Sequence, residues 1–378
     1  MISDEAINQP NTYKANGRLQ KIALIHKHMK AGGVEALIVR MARWLSDNGY
    51  QVSVYLYSGG GPLLKHLQQI DGLKVIVREN GKEPPLALSV FNQLVRSEKY
   101  DLAYSFSPSS LLLSYALPAH VRLSGVYQPE LYKLERNKKI IRALKTIDKD
   151  FHQKLVFMNP TVRRYTARAL ETEVPEQFMP PPIEQAAPES DYGSSHSRRI
   201  VSVGAIQAFT THYAQVIELM EELIQIDPAF TYHIYGSGSD ESRLRKSIRE
   251  SEAKDHIFLH SKPHADRLEE VLRDSFCFIG SGAVMIQACS LGIPGITSRA
   301  NDAEALSEGF FYQLPPYEVG ESYWEAPDTY EIGELVKNLL VSENVYRKTA
   351  ERCKFKARQF EIDVVMRDFI NLANDKLQ

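Results

Sequence analysis

The chain has 378 residues, a length that predicts two to three domains. Forty-five Lys and Arg against forty-seven Asp and Glu leave a net charge of −2, with 43% hydrophobic and 24% charged residues. That composition excludes a disordered chain, a collagen-like repeat and a protein whose overall charge marks it as a nucleic-acid binder. No apolar run reaches the roughly 18–20 residues that span a bilayer. Residues 1–19 are too polar for a secretory leader and read as a loose tail. The three cysteines, Cys277, Cys289 and Cys353, lack metal-type spacing; they predict a reducing compartment with neither disulfide nor zinc.

After the tail, short β-branched runs alternate with helical patterns. Residues 21–26 (KIALIH) read as a strand. Val34, Leu37, Ile38, Met41, Ala42 and Leu45 then follow at the spacing of one helix face, stopped by Asp47-Asn48-Gly49. Strands are expected at 51–57, 73–77, 101–106, 120–127, 154–158 and 177–179, with helices from Pro62 to Ile70 and from Pro84 to Arg96. Such alternation implies βαβ units in a mostly parallel, doubly wound sheet. Three consecutive prolines in residues 179–199 break it and read as a linker. Alternation restarts with strands at 199–204, 230–236, 256–260, 275–280 and 293–297. Helices are expected near 212–227, 240–252, 265–274 and 283–291, and residues 328–377 read as consecutive helices.

In an open parallel sheet, ligands bind where strand ends lead into helix N-termini. Three such loops are glycine-rich. Residues 26–33 end in Gly32-Gly33, residues 236–240 carry Gly236 and Gly238, and residues 280–283 carry Ser281, Gly282 and Ala283. Each reads either as a plain turn or cap, or as a cradle for a phosphate at a helix start. Gln287, one turn beyond the third loop, is placed either to bond a ribose hydroxyl or simply to face solvent.

With these motifs in order along the chain, the sequence resembles a GT-B glycosyltransferase of glycosyltransferase family 4. Gly32-Gly33-Val34-Glu35, Arg43-Trp44-Leu45 and Asn48-Gly49-Tyr50-Gln51-Val52 match the family's opening. NPTVRRYTARAL (159–170) and FMPPPIE (178–184) resemble the end of its N-terminal domain. IVSVGAI (200–206, with Gly204), HIYGSGSDESRL (233–244), IFLHSKPHADRLEEVLRDSFCFIGS (257–281) and QACSLGIPGITS (287–298) follow the motifs of its second domain. The resemblance implies two Rossmann-like domains facing across a cleft: an acceptor side at 20–183 and a nucleotide-sugar side at 184–355. It also implies a final helix (356–378) crossing back onto the first domain. By the same resemblance the donor is expected to be a nucleotide-sugar, configuration to be retained, and no cofactor or bound metal to be needed.

Departures stand beside the matches. The family's Arg and Lys against the diphosphate fall on Ala205 and Thr210, and its ribose-binding Glu falls on Gln287. Candidate cations in their place are Lys262, Arg299, His212, Lys27 and Lys30. Tyr127 and Gln128, at a strand end, are expected to face the cleft as catalytic or acceptor groups together with Lys262. Eleven Lys and Arg against four acids between Glu130 and Arg168 form a basic stretch interleaved with Leu131, Leu134, Ile140, Ile141 and Leu144. It reads either as a solvated face or as a surface for an anionic membrane carrying a lipid-linked acceptor. The expected function is a cytoplasmic or peripheral transferase of cell-surface glycan synthesis, with no nucleic-acid partner. A catalytically decayed binding subunit and a sugar-nucleotide epimerase are the competing readings.

Overall fold

A computed structural model describes residues 19–30, 32–78, 98–133, 137–184, 193–208, 210–264, 267–299, 304, 306–320 and 328–377. The helix expected from Pro84 to Arg96 lies outside them, as does the expected tail apart from Leu19, which is buried. The chain divides into two compact units. One holds the residues up to Met158, Val162–Met179 and Met366 onward; the other holds Asn159–Thr161 and Pro180–Val365.

The first unit is built on β1 (Lys21–His26), α1 (Gly33–Asp47), β2 (Gln51–Leu56), α2 (Leu64–Gln68), β3 (Lys74–Val77), β4 (Tyr100–Ser105), α3 (Pro108–Ser114), β5 (Ala119–Val126), α4 (Lys138–Ile147), β6 (Leu155–Phe157) and α5 (Pro160–Leu170). Its six strands are all parallel, in the order β3-β2-β1-β4-β5-β6. Five of the six residues of β1 are buried, as a strand covered on both faces requires. The apolar stripe of α1 is buried as its spacing predicts, except that Val34 is half exposed and Glu35 is buried. Gly49, at φ +84°, ends that helix; the Tyr50 amide reaches back to the Leu45 carbonyl, a closing bond of the Schellman kind. Helix α3 has no counterpart among the expected elements, and the strand expected at 177–179 is a single bridge between Phe157 and Phe178.

The second unit contains β7 (Arg199–Ala205), α6 (His212–Ile226), β8 (Thr231–Ser237), α7 (Glu241–Glu250), β9 (Ile257–His260), α8 (Leu268–Leu272), β10 (Cys277–Gly280), α9 (Gly282–Ser290) and β11 (Gly295–Thr297). These five strands form a parallel sheet in the order β11-β10-β7-β8-β9. A short antiparallel pair, β12 (Leu306–Ser307) and β13 (Tyr330–Glu331), precedes α10 (Ile332–Leu340) and α11 (Glu343–Ala357). The last helix, α12 (Ile362–Asp375), joins the first unit from Met366 onward. There Phe369 meets the ring of Tyr104 edge-on at 4.9 Å. All three cysteines are unpaired and buried. No helix among the described residues is long and apolar enough to cross a membrane.

Candidate functional site

In both sheets the strand order reverses direction beside the first strand of the unit, between β1 and β4 and between β7 and β10. A crevice opens at such a point beyond the carboxyl ends of the strands. Each unit therefore carries its own candidate site.

In the second unit, the site begins at the start of α9. Ser281 is extended (φ −153°) and its side chain makes no capping bond. Gly282 follows at φ +73°, a conformation that a residue with a Cβ adopts only at a cost. Its amide donates to the Val319 carbonyl at 2.8 Å, which spends one of the free donors of the helix start. Ala283 is exposed, and the first turn of a helix leaves backbone donors without intrahelical partners, with the helix dipole adding positive charge. The Ser298 amide bonds the Gly280 carbonyl at 3.0 Å, placing the backbone of half-buried Arg299 beside Ser281. Gln287 lies one turn along the same helix and is half-buried.

The other predicted residues of this unit separate by packing. A Cβ on Gly236 would sit 2.3 Å from the Gly204 carbonyl oxygen, and one on Gly238 2.0 Å from that of Ile206. Gly236 lets the ends of β7 and β8 pack side by side and Gly238 lets the loops that follow them touch, a close approach that accounts for both glycines. Lys262 is exposed beyond β9, two strands out from β7. Thr210 spends its hydroxyl inside its own loop, donating to the Gln207 carbonyl and accepting from the Gln207 amide. His212 is buried, and burial pushes its imidazole down to about 4. It is neutral at pH 7 and supplies no cation to a diphosphate.

In the first unit, the sequence reading missed the central feature. His26 ends β1, His28 lies two residues on, and Glu35 occupies the first turn of α1. His26 Nε2 lies 3.5 Å from Glu35 Oε1, and His28 Nδ1 lies 3.4 Å from the same oxygen. Gly32 leaves the space: a Cβ there would meet Glu35 Oε2 at 2.3 Å, whereas Gly33 has open space around it. The loop that carries His28 is pinned from both ends, the Ser58 amide donating to the Lys27 carbonyl and the Leu63 amide to that of Met29. Burial pushes the Glu35 carboxyl up, but the His26 hydrogen bond, its own amide and the imidazole charges outweigh this and hold it below the usual range. Burial, then repulsion from His26, lowers the His28 imidazole. Lys27 and Lys30 are exposed on the same loop.

A row of rings ties Tyr127 to this cluster. Phe106 meets His26 edge-on at 5.8 Å and stacks on Tyr127 at 6.2 Å. The Tyr127 and Tyr104 hydroxyls are 2.9 Å apart. Burial raises the Tyr127 phenol far above its ordinary value, so at neutral pH it keeps its proton. Gln128 is exposed. On α5, Arg163, Arg164 and Arg168 line a groove of about 440 Å³.

Known proteins fit this architecture. Residues 31–146 match the model of Glycosyltransferase Family 4, and residues 192–306 match Glycosyl transferases group 1. No curated protein matches the chain. Among solved structures, a glycosyltransferase from Rickettsia africae superposes with a TM-score of 0.67 at 14% identity, over 96% of this chain and 99% of that one. The pneumococcal O-GlcNAc transferase GtfA, in complex with UDP and GlcNAc, gives 0.62 at 10% identity over 96% and 100%. WaaG, a glycosyltransferase involved in lipopolysaccharide biosynthesis, gives 0.56 at 13% identity over 94% and 99%. Two parallel α/β units in this order, with family matches covering more than half of the sequence, place the chain among the GT-B glycosyltransferases.

Proposed function

We propose that the chain moves a hexosyl or N-acetylhexosaminyl group, with retention, from a nucleotide-sugar to a polysaccharide or lipid-linked glycan acceptor. The second unit takes the donor and the first takes the acceptor, the division that the family 4 resemblance implies. The observation that carries this reading is the start of α9, where exposed Ala283 and the Ser281–Gly282 turn present unused donors at the strand-order reversal. A diphosphate fits such a terminus by hydrogen bonding and by charge. Arg299 is the cation whose backbone stands next to it, and stabilising the departing diphosphate is work for fixed donors of this kind. The reading needs no metal at the diphosphate. It places the enzyme in the cytoplasm, on the inner membrane face where lipid-linked acceptors lie.

The test is donor hydrolysis and binding across uridine, guanosine and cytidine diphosphate sugars. Uridine diphosphate comes first because it is what the pneumococcal neighbour holds. The expected result is one preferred base, with Arg299→Ala weakening diphosphate binding about tenfold, the loss of one charge-assisted contact. Indifference to Arg299→Ala and to every nucleotide would overturn it. A second reading, a binding subunit without turnover, is favoured by Ala205 and by Thr210, whose hydroxyl is tied into its own loop. Nucleotide binding with no hydrolysis or transfer would select it.

A further inference from the structure

We propose that His26, His28 and Glu35 form a site for one divalent transition-metal cation of the zinc type, bound by two imidazoles and one carboxylate with at least one coordination position open. The three donor atoms all lie within 4.8 Å of one another. Ligands about 2.0–2.1 Å from a tetrahedral zinc stand about 3.3–3.4 Å apart. The two distances to Glu35 Oε1, 3.5 and 3.4 Å, are close to that edge and are long for hydrogen bonds.

Hydrogen bonding alone leaves the cluster incomplete. His28 Nδ1 is buried and has no hydrogen-bond partner although it faces Glu35 Oε1. An unpaired buried nitrogen is costly. A cation between these atoms takes a lone pair from each imidazole and one from the carboxylate, and three protein ligands leave room for water. Ligation requires a neutral imidazole and an ionised carboxylate. The pinned backbone of residues 27–29 and the apolar edge of Phe106 hold the donors in a shaped site. The cluster lies in the first unit.

The experiment uses the full chain, stripped with a chelator and titrated with zinc chloride by calorimetry and with cobalt(II) chloride by visible absorption. One ion per chain is expected, with the intense d–d bands of four- or five-coordinate cobalt. His28→Ala and Glu35→Gln should each weaken zinc binding by about tenfold or more and abolish those bands. His260→Ala, in the second unit and part of its stacked His233–His260 pair, should leave them unchanged. If either cluster variant fails to fold, X-ray absorption of the zinc-loaded wild type decides: scattering from two imidazoles supports the site. Lack of stoichiometric binding, binding unaltered by both cluster variants, or a zinc shell without imidazole would each overturn it. None of these readouts depends on transferase activity.

Discussion

His212 opens helix α6 with its ring 4.2 Å from that of Tyr213 and little access to solvent. Burial pushes its imidazole from the ordinary 6.5 down to about 4. Between those two values the unfolded chain binds a proton that the folded chain refuses, so stability rises with pH there and is lost on acidification. By pH 5 this group alone should cost about 2 kcal/mol, or roughly 4–8 °C in melting temperature. Melting curves from pH 7 to pH 5 check this: His212→Phe should show a visibly flatter fall than the wild type. Other single residues show why the sites were unevenly legible. Gly236 and Gly238 look like phosphate-loop glycines in sequence, yet the Gly204 and Ile206 carbonyls that need their missing side chains belong to strand β7 and the loop that follows it. His26, His28 and Glu35 stand within ten residues of one another, but only the fold of Glu35 back over Gly32 brings the three together.

At the scale of elements, periodicity works where one face is buried and fails where every face is. Helix α1 alternates cleanly and was found from its stripe. Helix α3 is Pro-Ser-Ser-Leu-Leu-Leu-Ser with six of its seven residues buried, and an all-buried helix carries no amphipathic signal. Its start was nevertheless written in the chain. Ser107 is extended and accepts from the Ser110 amide at 3.2 Å, with Pro108 at the first helical position. Ser107→Ala should therefore destabilise the protein by about 1 kcal/mol, measured by urea unfolding, while Ser107→Asp should retain most of the stability. An unchanged midpoint in Ser107→Ala would show that burial alone fixes this helix.

On the scale of the whole molecule, the chain's path was legible from motif order, while the division of its core was set by packing. The alternating β and α segments on both sides of the three prolines outline two sheets. What the alternation does not reveal is that Met366, Phe369, Ile370 and Ala373, all buried, complete the first unit from the far end of the chain. Phe369→Ala should cost about 3–5 kcal/mol, the usual loss for a buried phenylalanine. Removing residues 362–378 should leave the first unit with an open apolar surface around Tyr104. Limited proteolysis of the truncated chain should then cut within residues 19–179 before it cuts within 199–357.

Charge is also distributed at the scale of the molecule. The stretch 130–168 carries +7 in a chain of −2, leaving −9 elsewhere. On α4, Lys138, Arg142 and Lys145 fall on one stripe by helical spacing and are exposed. Leu144, on another face, is fully buried and is no lipid anchor. Leu134 lies outside the described residues, and of the remaining apolar positions only Ile147 is clearly exposed, on the side of the helix away from the cations. Lys154 is paired with Asp148, and Arg163 is held by the Val174 and Pro175 carbonyls, so neither is available to a surface. Docking of the described α4 stripe to an anionic bilayer is therefore electrostatic, at about 1 kcal/mol per cation near the surface. It should weaken steeply with salt as screening shortens to a few ångströms near 1 M. Sedimentation with phosphatidylglycerol vesicles should fall between 50 mM and 500 mM salt (about a tenfold range), and Lys138→Glu, Arg142→Glu and Lys145→Glu combined should abolish it at either concentration. Equal binding to phosphatidylcholine vesicles, or a combined variant that sediments like the wild type, would remove the stripe from the acceptor's side of the reaction and leave it a solvated helix face.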